Sequence, residues 1–404
     1  MRLGKRVHYL PQPKRQIRFP PVEIGIVVNE GGAMPERRRG KAYRGRGSRM
    51  WHETEVSSRL GIRYPIVQGP FGGGASSVTL AATVSNAGGL GSFGVHTFTA
   101  KQITDIANEI RGRTTKPFAL NLWIPRGSAP DLGDEALERN FAILDGYYRE
   151  LGMARPTRPQ GFGQDFEAQL RALLEARPPV FSFVFGVPDQ SILQECRQRG
   201  IATIGTATTP DEGAALDDAG VDCIVASGFE AGGHRGAFLR PAEDSLIGTF
   251  ALVPQVADRV KAPVIAAGGI ADARGIRAAI ALGAKGVQIG TAFLACEESA
   301  ATAQHRELLF DERAKDTALT KAFTGRLARS IRNRFSDDMR SHEAGLPPFP
   351  IQSWFAGTLR EASAAQGRTD FVSLSAGQSA ALLRFRKAKE LFDELVREMA
   401  LGGS

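Results

Sequence analysis

Residues 263–291 read PVIAAGGIADARGIRAAIALGAKGVQIGT, and this stretch decides the fold. An apolar, β-rich run, Pro263–Ala267, ends in Gly268 and Gly269. A helical stretch opened by Asp272 follows, and a second apolar run leads to Gly290 and Thr291. Strand, glycine turn, helix and strand make a βα unit of the kind that builds parallel sheets. Gly269 and Gln288 stand 19 residues apart, the length of one helix plus one strand, which returns both segments to the same rim.

The alternation recurs back to Ile62. Candidate strands are Pro65–Gly69, Gly89–Gly94, Pro117–Asn121, Val180–Phe185, Ile201–Gly205, Cys223–Ala226, Pro263–Ala267 and Gly286–Gly290. Most of these runs are continuously apolar, as strands covered on both faces are. They predict an α/β fold, a closed (β/α)8 TIM barrel over residues 50–300. Between the third and fourth strands lies an insertion, 126–179, with expected helices at Glu135–Gly152 and Asp165–Glu175. Residues 301–404 read mainly as helix, for instance Ala300–Asp316 and Ser379–Met399, with a Pro-rich break at Leu346–Pro350. They are expected to form a lobe that closes the site.

Hydrophobic residues make up 42% of the chain and charged residues 23%, the balance of a globular protein. No apolar run of membrane-spanning length is present, so no membrane partner is expected. The three cysteines, Cys196, Cys223 and Cys296, are far apart, which suggests neither a zinc site nor a disulfide framework and fits a reducing cytoplasm. The net charge of +8 is a property of one end. Residues 1–49 hold 13 Lys and Arg against three Glu, which leaves 38 basic and 40 acidic residues in the rest of the chain. That basic segment, rich in Arg, Gly and Pro, reads as a disordered tail. Three explanations fit it: a start placed upstream of the true one at Met50, an Arg-rich targeting segment, or a nucleic-acid-binding arm. The nearly neutral remainder, without a platform of interleaved aromatic and basic residues, argues against nucleic acid as a partner.

In a barrel of this kind the active site is built from loops at the C-terminal ends of the strands. After the first strand comes Gln68-Gly69-Pro70-Phe71-Gly72-Gly73-Gly74, where consecutive glycines let the backbone approach a flat ligand, or simply make a turn. The third strand carries Asn121, whose amide can pair with a heterocycle edge or serve a turn. Gly268 and Gly269, with Gln288, Ile289, Gly290 and Thr291, occupy the place where barrels hold a phosphate on backbone amides. The sixth strand leads into Ser227-Gly228-Phe229-Glu230-Ala231-Gly232-Gly233-His234-Arg235-Gly236. The ordinary pKa of an imidazole suits proton abstraction from a weakly acidic carbon, which makes His234, framed by glycines beside the expected phosphate rim, the candidate base. His96, after the second strand, is the reserve candidate; His8, His52, His305 and His342 lack that setting. Arg235 reads as an anion contact or, more simply, as an exposed side chain. Glu230 either orients the loop or contacts a ligand.

Together QGPFGGG, SNAGGLGSFG, ALNLWIP, GFEAGGHRG, AAGGIADARGI, QIGTAFLACEES, AFTGRLARSIRNRF and SAGQS make a chain that resembles the nitronate monooxygenases, over about Met50 to Ser379. The resemblance implies non-covalent FMN and oxidation of alkyl nitronates by molecular oxygen to a carbonyl compound and nitrite. Its implied flavin contacts are Asn121, Gly232, Gly269 and Gln288 to Thr291, with backbone from Gln68 to Phe71. His234 becomes the base that deprotonates neutral nitroalkanes. The chain departs from the pattern at Ser227, where many members carry Gln, which puts a direct flavin contact there in doubt. The same barrel also serves NAD(P)H-dependent flavin reductases acting on enoyl-acyl-carrier protein or quinones, and the sequence leaves this alternative standing.

Overall fold

Eight short parallel strands form the centre of the computed structural model, which describes residues 50–125, 127, 132–159 and 161–401. The basic segment 1–49 and the expectation of disorder there lie outside the described residues. The strands are β1 (Ile66–Gln68), β2 (Gly91–Gly94), β3 (Phe118–Trp123), β4 (Val180–Val184), β5 (Ala202–Ala207), β6 (Cys223–Ser227), β7 (Val264–Ala267) and β8 (Gly286–Ile289). From β2 to β8 each pairs in parallel with the next in chain order, and β8 pairs with β1. A parallel bridge between Val67 and Leu90 completes the ring. All eight expected strands are present.

Side-chain alternation sets the two layers of the core. On β3, Phe118, Leu120 and Leu122 face the helices, whereas Ala119 points inward, so Asn121 and Trp123 share the inner face at the mouth. Val67, Leu90, Ala119, Val180, Ile204, Val225 and Ile265 fill the interior, and Val56 and Leu60 of the helix Glu55–Leu60 plug its lower end. The turn that follows β7 is fixed by Asp272, whose carboxylate accepts from the Arg274 and Gly275 amides at 2.9 and 3.4 Å and so starts the helix Ala273–Ala281.

The insertion divides. Its second helix, Phe166–Ala176, puts Leu170, Leu173 and Leu174 into the main core as the barrel's third outer helix. Its first, Asp134–Glu150, packs Phe141, Leu144 and Tyr148 against Phe335, Phe355, Leu359 and Phe371 of the C-terminal region. That region is not helix alone. Thr317–Thr320 and Ala328–Ile331 pair antiparallel, and Ala328–Ile331 also pairs with the two-residue strand Gly233–His234. The Pro-rich break precedes the helix Ile351–Ala365, as the lack of proline N–H groups requires. The last helix, Ala388–Leu401, returns to the barrel wall, where Leu391, Phe392, Leu395 and Met399 join the main core. Among the described residues, no helix is long and apolar enough to cross a membrane.

Candidate active site

Trp123, at the end of β3, organises the mouth of the barrel. His96 stacks flat on it, with ring centroids 3.7 Å apart and planes 5° from parallel. His234 meets it edge-on at 5.0 Å. Phe185, just after β4, lies 5.0 Å from Trp123 and 6.3 Å from His234. Its φ of 74° is rare for a bulky residue, a strained conformation of the kind that collects at functional sites. The glycine run after β1 serves this stack: a Cβ on Gly72 would lie 3.0 Å from His96 Cε1 and 3.3 Å from Trp123 Cζ2.

His234 is held from two directions. Its backbone pairs with Ala328, and the next amide, Arg235, donates to Leu327 at 2.9 Å. Its Nε2 lies 2.8 Å from Thr324 Oγ1. Burial, and then the positive charge of Arg326, lower its pKa to about 4. His96 falls to about 3 through burial first, then the neighbouring His234 and Arg326. Both rings are therefore neutral at pH 7, and a neutral imidazole is the form that accepts a proton.

The loop that carries His234 is braced from below. Arg235 is buried, not exposed: its guanidinium donates to the carbonyls of Gly228 at 2.6 Å and Ser227 at 2.7 Å. Burial lowers its pKa to about 10. Glu230 takes the orienting role, because its carboxylate accepts from the Thr249 amide at 2.9 Å and the Thr249 hydroxyl at 2.9 Å, capping the helix Thr249–Ala257.

Gly268 and Gly269 adopt φ of 101° and 72°, which only glycine takes without strain. Among the described residues, no acceptor engages the amides of Gly269, Gly290 and Thr291. The Thr291 hydroxyl accepts from the Gly377 amide at 2.9 Å, and the Gln378 amide donates to the Glu230 carbonyl at 2.9 Å, so the SAGQS segment docks on this rim. Gly232 lies under it, since a Cβ there would come 2.6 Å from Ala376 C. Gly233, with φ of 76°, turns the chain into His234.

The remaining expected residues separate by use. The amide of Gln68 donates to Leu90 O, that of Gly69 to Ile289 O and that of Phe71 to Ser76 Oγ, at 2.9, 2.9 and 3.2 Å, while Pro70 has none. This rim thus offers shape and no spare donor. The Gln68 side chain is fully buried, and its Oε1 accepts from the Ser92 amide at 2.8 Å. Asn121 donates to Ser182 Oγ at 3.0 Å and keeps its carbonyl oxygen as an acceptor. Gln288 pairs in register with Val67 and Ala267 and so shares their inward face, half-buried near the mouth. Ile289 instead sends its side chain into the outer core and can offer only backbone. Ser227 is half-buried at the end of β6.

Sequence reasoning missed Trp123, Phe185, Thr324, Arg326 and Phe349. Trp123 was within reach, two residues beyond Asn121 on the same strand face. Thr324 and Arg326 are about 90 residues from His234, within the motif AFTGRLARSIRNRF, which carries the resemblance but assigns neither residue a role.

Residues 53–398 match the family model described as nitronate monooxygenase. A probable nitronate monooxygenase of Staphylococcus haemolyticus is 38% identical over 352 residues, covering 87% of this chain and 98% of the relative. One from Staphylococcus aureus is 38% identical over 351 residues, with the same shares. The fold matches the structure of nitroalkane oxidase from Streptomyces ansochromogenes with a TM-score of 0.79 and 38% identity, over 86% of this chain and 98% of that one. FabK from Thermotoga maritima aligns with a TM-score of 0.68 and 29% identity, over 86% and 96%. With agreement of this length and depth, the chain belongs to the nitronate monooxygenase family of oxidoreductase flavoenzymes.

Proposed function

We propose that the protein oxidises alkyl nitronates with molecular oxygen to carbonyl compounds and nitrite, using FMN, and that His234 removes the proton when the substrate is a neutral nitroalkane. The observation that carries this reading is the neutral His234 edge-on to Trp123, its Nε2 fixed by Thr324, on the loop braced against the Gly268–Gly269 rim.

The donor set suits FMN. The unengaged amides of Gly269, Gly290 and Thr291 are what a phosphate takes at a barrel rim, and Thr291 Oγ1, already accepting from Gly377, has its proton left to donate. Asn121, Gln288 and the Gly232–Gly233 backbone would hold the ring, with Ser227 leaving more room than a longer side chain. Bound FMN supplies a two-electron acceptor at the mouth of the barrel. The chain's own residues do the rest: Trp123, Phe185 and Phe349 shape an apolar wall around the reacting carbon, and His234 accepts its proton.

Anaerobic mixing of the purified yellow protein with ethyl nitronate and, separately, with NADH tests the reading. Bleaching by nitronate alone is expected. Bleaching by NADH and not by nitronate would move the assignment to NAD(P)H-dependent flavin reductases.

A further inference from the structure

Thr324 reaches His234 from the turn that precedes the strand Ala328–Ile331, the strand that also holds the histidine's backbone. Three polar groups meet its hydroxyl. The Arg326 amide donates to Thr324 Oγ1 at 3.3 Å, Oγ1 donates to the Arg326 carbonyl at 3.2 Å, and His234 Nε2 lies 2.8 Å away. A threonine hydroxyl has one proton to give and two lone pairs. With the proton on the Arg326 carbonyl and one lone pair taken by the Arg326 amide, what remains for the histidine is an acceptor. Nε2 must then carry its hydrogen, and in a neutral imidazole that leaves Nδ1 bare. The Ser375 carbonyl imposes the same tautomer on His305 outright, because a carbonyl can only accept. A hydroxyl turned toward Nε2 would instead give up its contact with the Arg326 carbonyl and occupy the bare nitrogen of the ring. Among the described residues, none hydrogen-bonds His234 Nδ1, which unlike Nδ1 of His96 is not a buried atom.

We propose that Thr324 is the positioning residue that sets the tautomer of His234, so that Nδ1 is the atom that removes the proton. The proposal rests on the reading of His234 as the base for neutral nitroalkanes and names its working nitrogen. In that step the C–H bond of the nitro-bearing carbon breaks toward Nδ1. Its electron pair stays on the carbon and spreads into the nitro group, giving the nitronate, while the proton rests on Nδ1. The imidazolium so formed keeps donating from Nε2 to Thr324, so the ring holds one orientation before and after the transfer. Backbone and ring are fixed by one segment, because the strand that pairs with His234 follows directly on the turn that supplies the hydroxyl.

The test uses the flavin-loaded protein carrying isotope-labelled histidine, with Thr324→Val, Thr324→Ser and, to assign the signals, His234→Asn. Long-range nitrogen–proton NMR of the unaltered protein at neutral pH should show His234 with Nε2 protonated and Nδ1 bare. In Thr324→Val the two tautomers should mix, and kcat for nitroethane should fall about tenfold, the scale of one lost hydrogen bond to a charged ring. KM should move little, and turnover of ethyl nitronate, which needs no base, should fall far less. Thr324→Ser, which returns the hydroxyl, should restore both the tautomer and kcat. A bare Nε2 in the unaltered protein overturns the proposal, as does a valine variant with unchanged nitroethane kcat or one that serine does not rescue. If Thr324→Val fails to fold or loses its flavin, the spectrum of the unaltered protein and the kinetics of Thr324→Ser decide. If the unaltered protein oxidises no nitroethane, the functional reading fails by itself, and the spectrum still decides the tautomer.

Discussion

His234 combines two properties that pull against each other. Burial and Arg326 keep it unprotonated to about pH 4, yet the same effects make its conjugate acid unstable and the base weak. Replacing His234 with Asn should lower kcat/KM for nitroethane about a hundredfold or more, the usual contribution of a positioned base, while ethyl nitronate turnover falls far less. Equal losses on both substrates would remove it from the proton transfer. Because the active form is the neutral ring, kcat/KM for nitroethane should hold as pH falls below 6.5 and drop only near pH 4. A limb centred near 6.5 would mean that the ring is solvated during catalysis. His234 was legible because glycines on both sides of a lone histidine, directly after a strand, are a local pattern. Its partners were not, since the Thr324 and Arg326 contacts exist only after residues distant in sequence are packed together.

At the scale of elements, the turn Thr324–Gly325–Arg326 carries the most chemistry in the fewest residues. Gly325 has φ of 76°, and a Cβ there would collide with the Pro347 carbonyl and come within 2.8 Å of the Phe349 amide. Gly325→Ala should therefore cost about 1–3 kcal/mol in stability and displace both Thr324 and Arg326. Thermal melting with and without FMN, beside nitronate kinetics, checks this; an alanine variant with unchanged melting and unchanged KM would show the turn to be plastic. The parallel strands were readable because a buried strand needs only its own run of apolar residues and a turn signal. The strand Gly233–His234 could not be read: two residues, one of them glycine, become a strand only because Ala328 and Arg329 lie alongside. The insertion was likewise legible as two helices, but their division between the lobe and the barrel wall depends on which apolar faces they meet.

Across the whole molecule, burial acts on His96, His234 and His305 in the same direction. Their pKa values fall to about 3, 4 and 4, with His305 Nε2 donating to the Ser375 carbonyl at 3.0 Å. The unfolded chain takes up protons below about pH 6.5 that the folded chain refuses, so each histidine adds stability above that pH which is lost as the pH falls toward 4 and below. Melting temperature should decline progressively below pH 6.5, and His305→Gln, which retains a donor for Ser375, should flatten that decline. An unchanged slope in the variant would exclude His305 as a contributor. The closing helix has a different consequence. Ala388–Leu401 packs into the barrel wall with residues from the helices that follow β1 and β7, although roughly a hundred residues of lobe separate it from β8. A nascent chain therefore has every strand of the ring available while its wall still lacks a stave, and the last 14-residue helix supplies it. Synthesis of this helix thus becomes a condition for a sealed barrel, so a chain that stops short of it keeps exposed core and is a ready target for the cell's quality control.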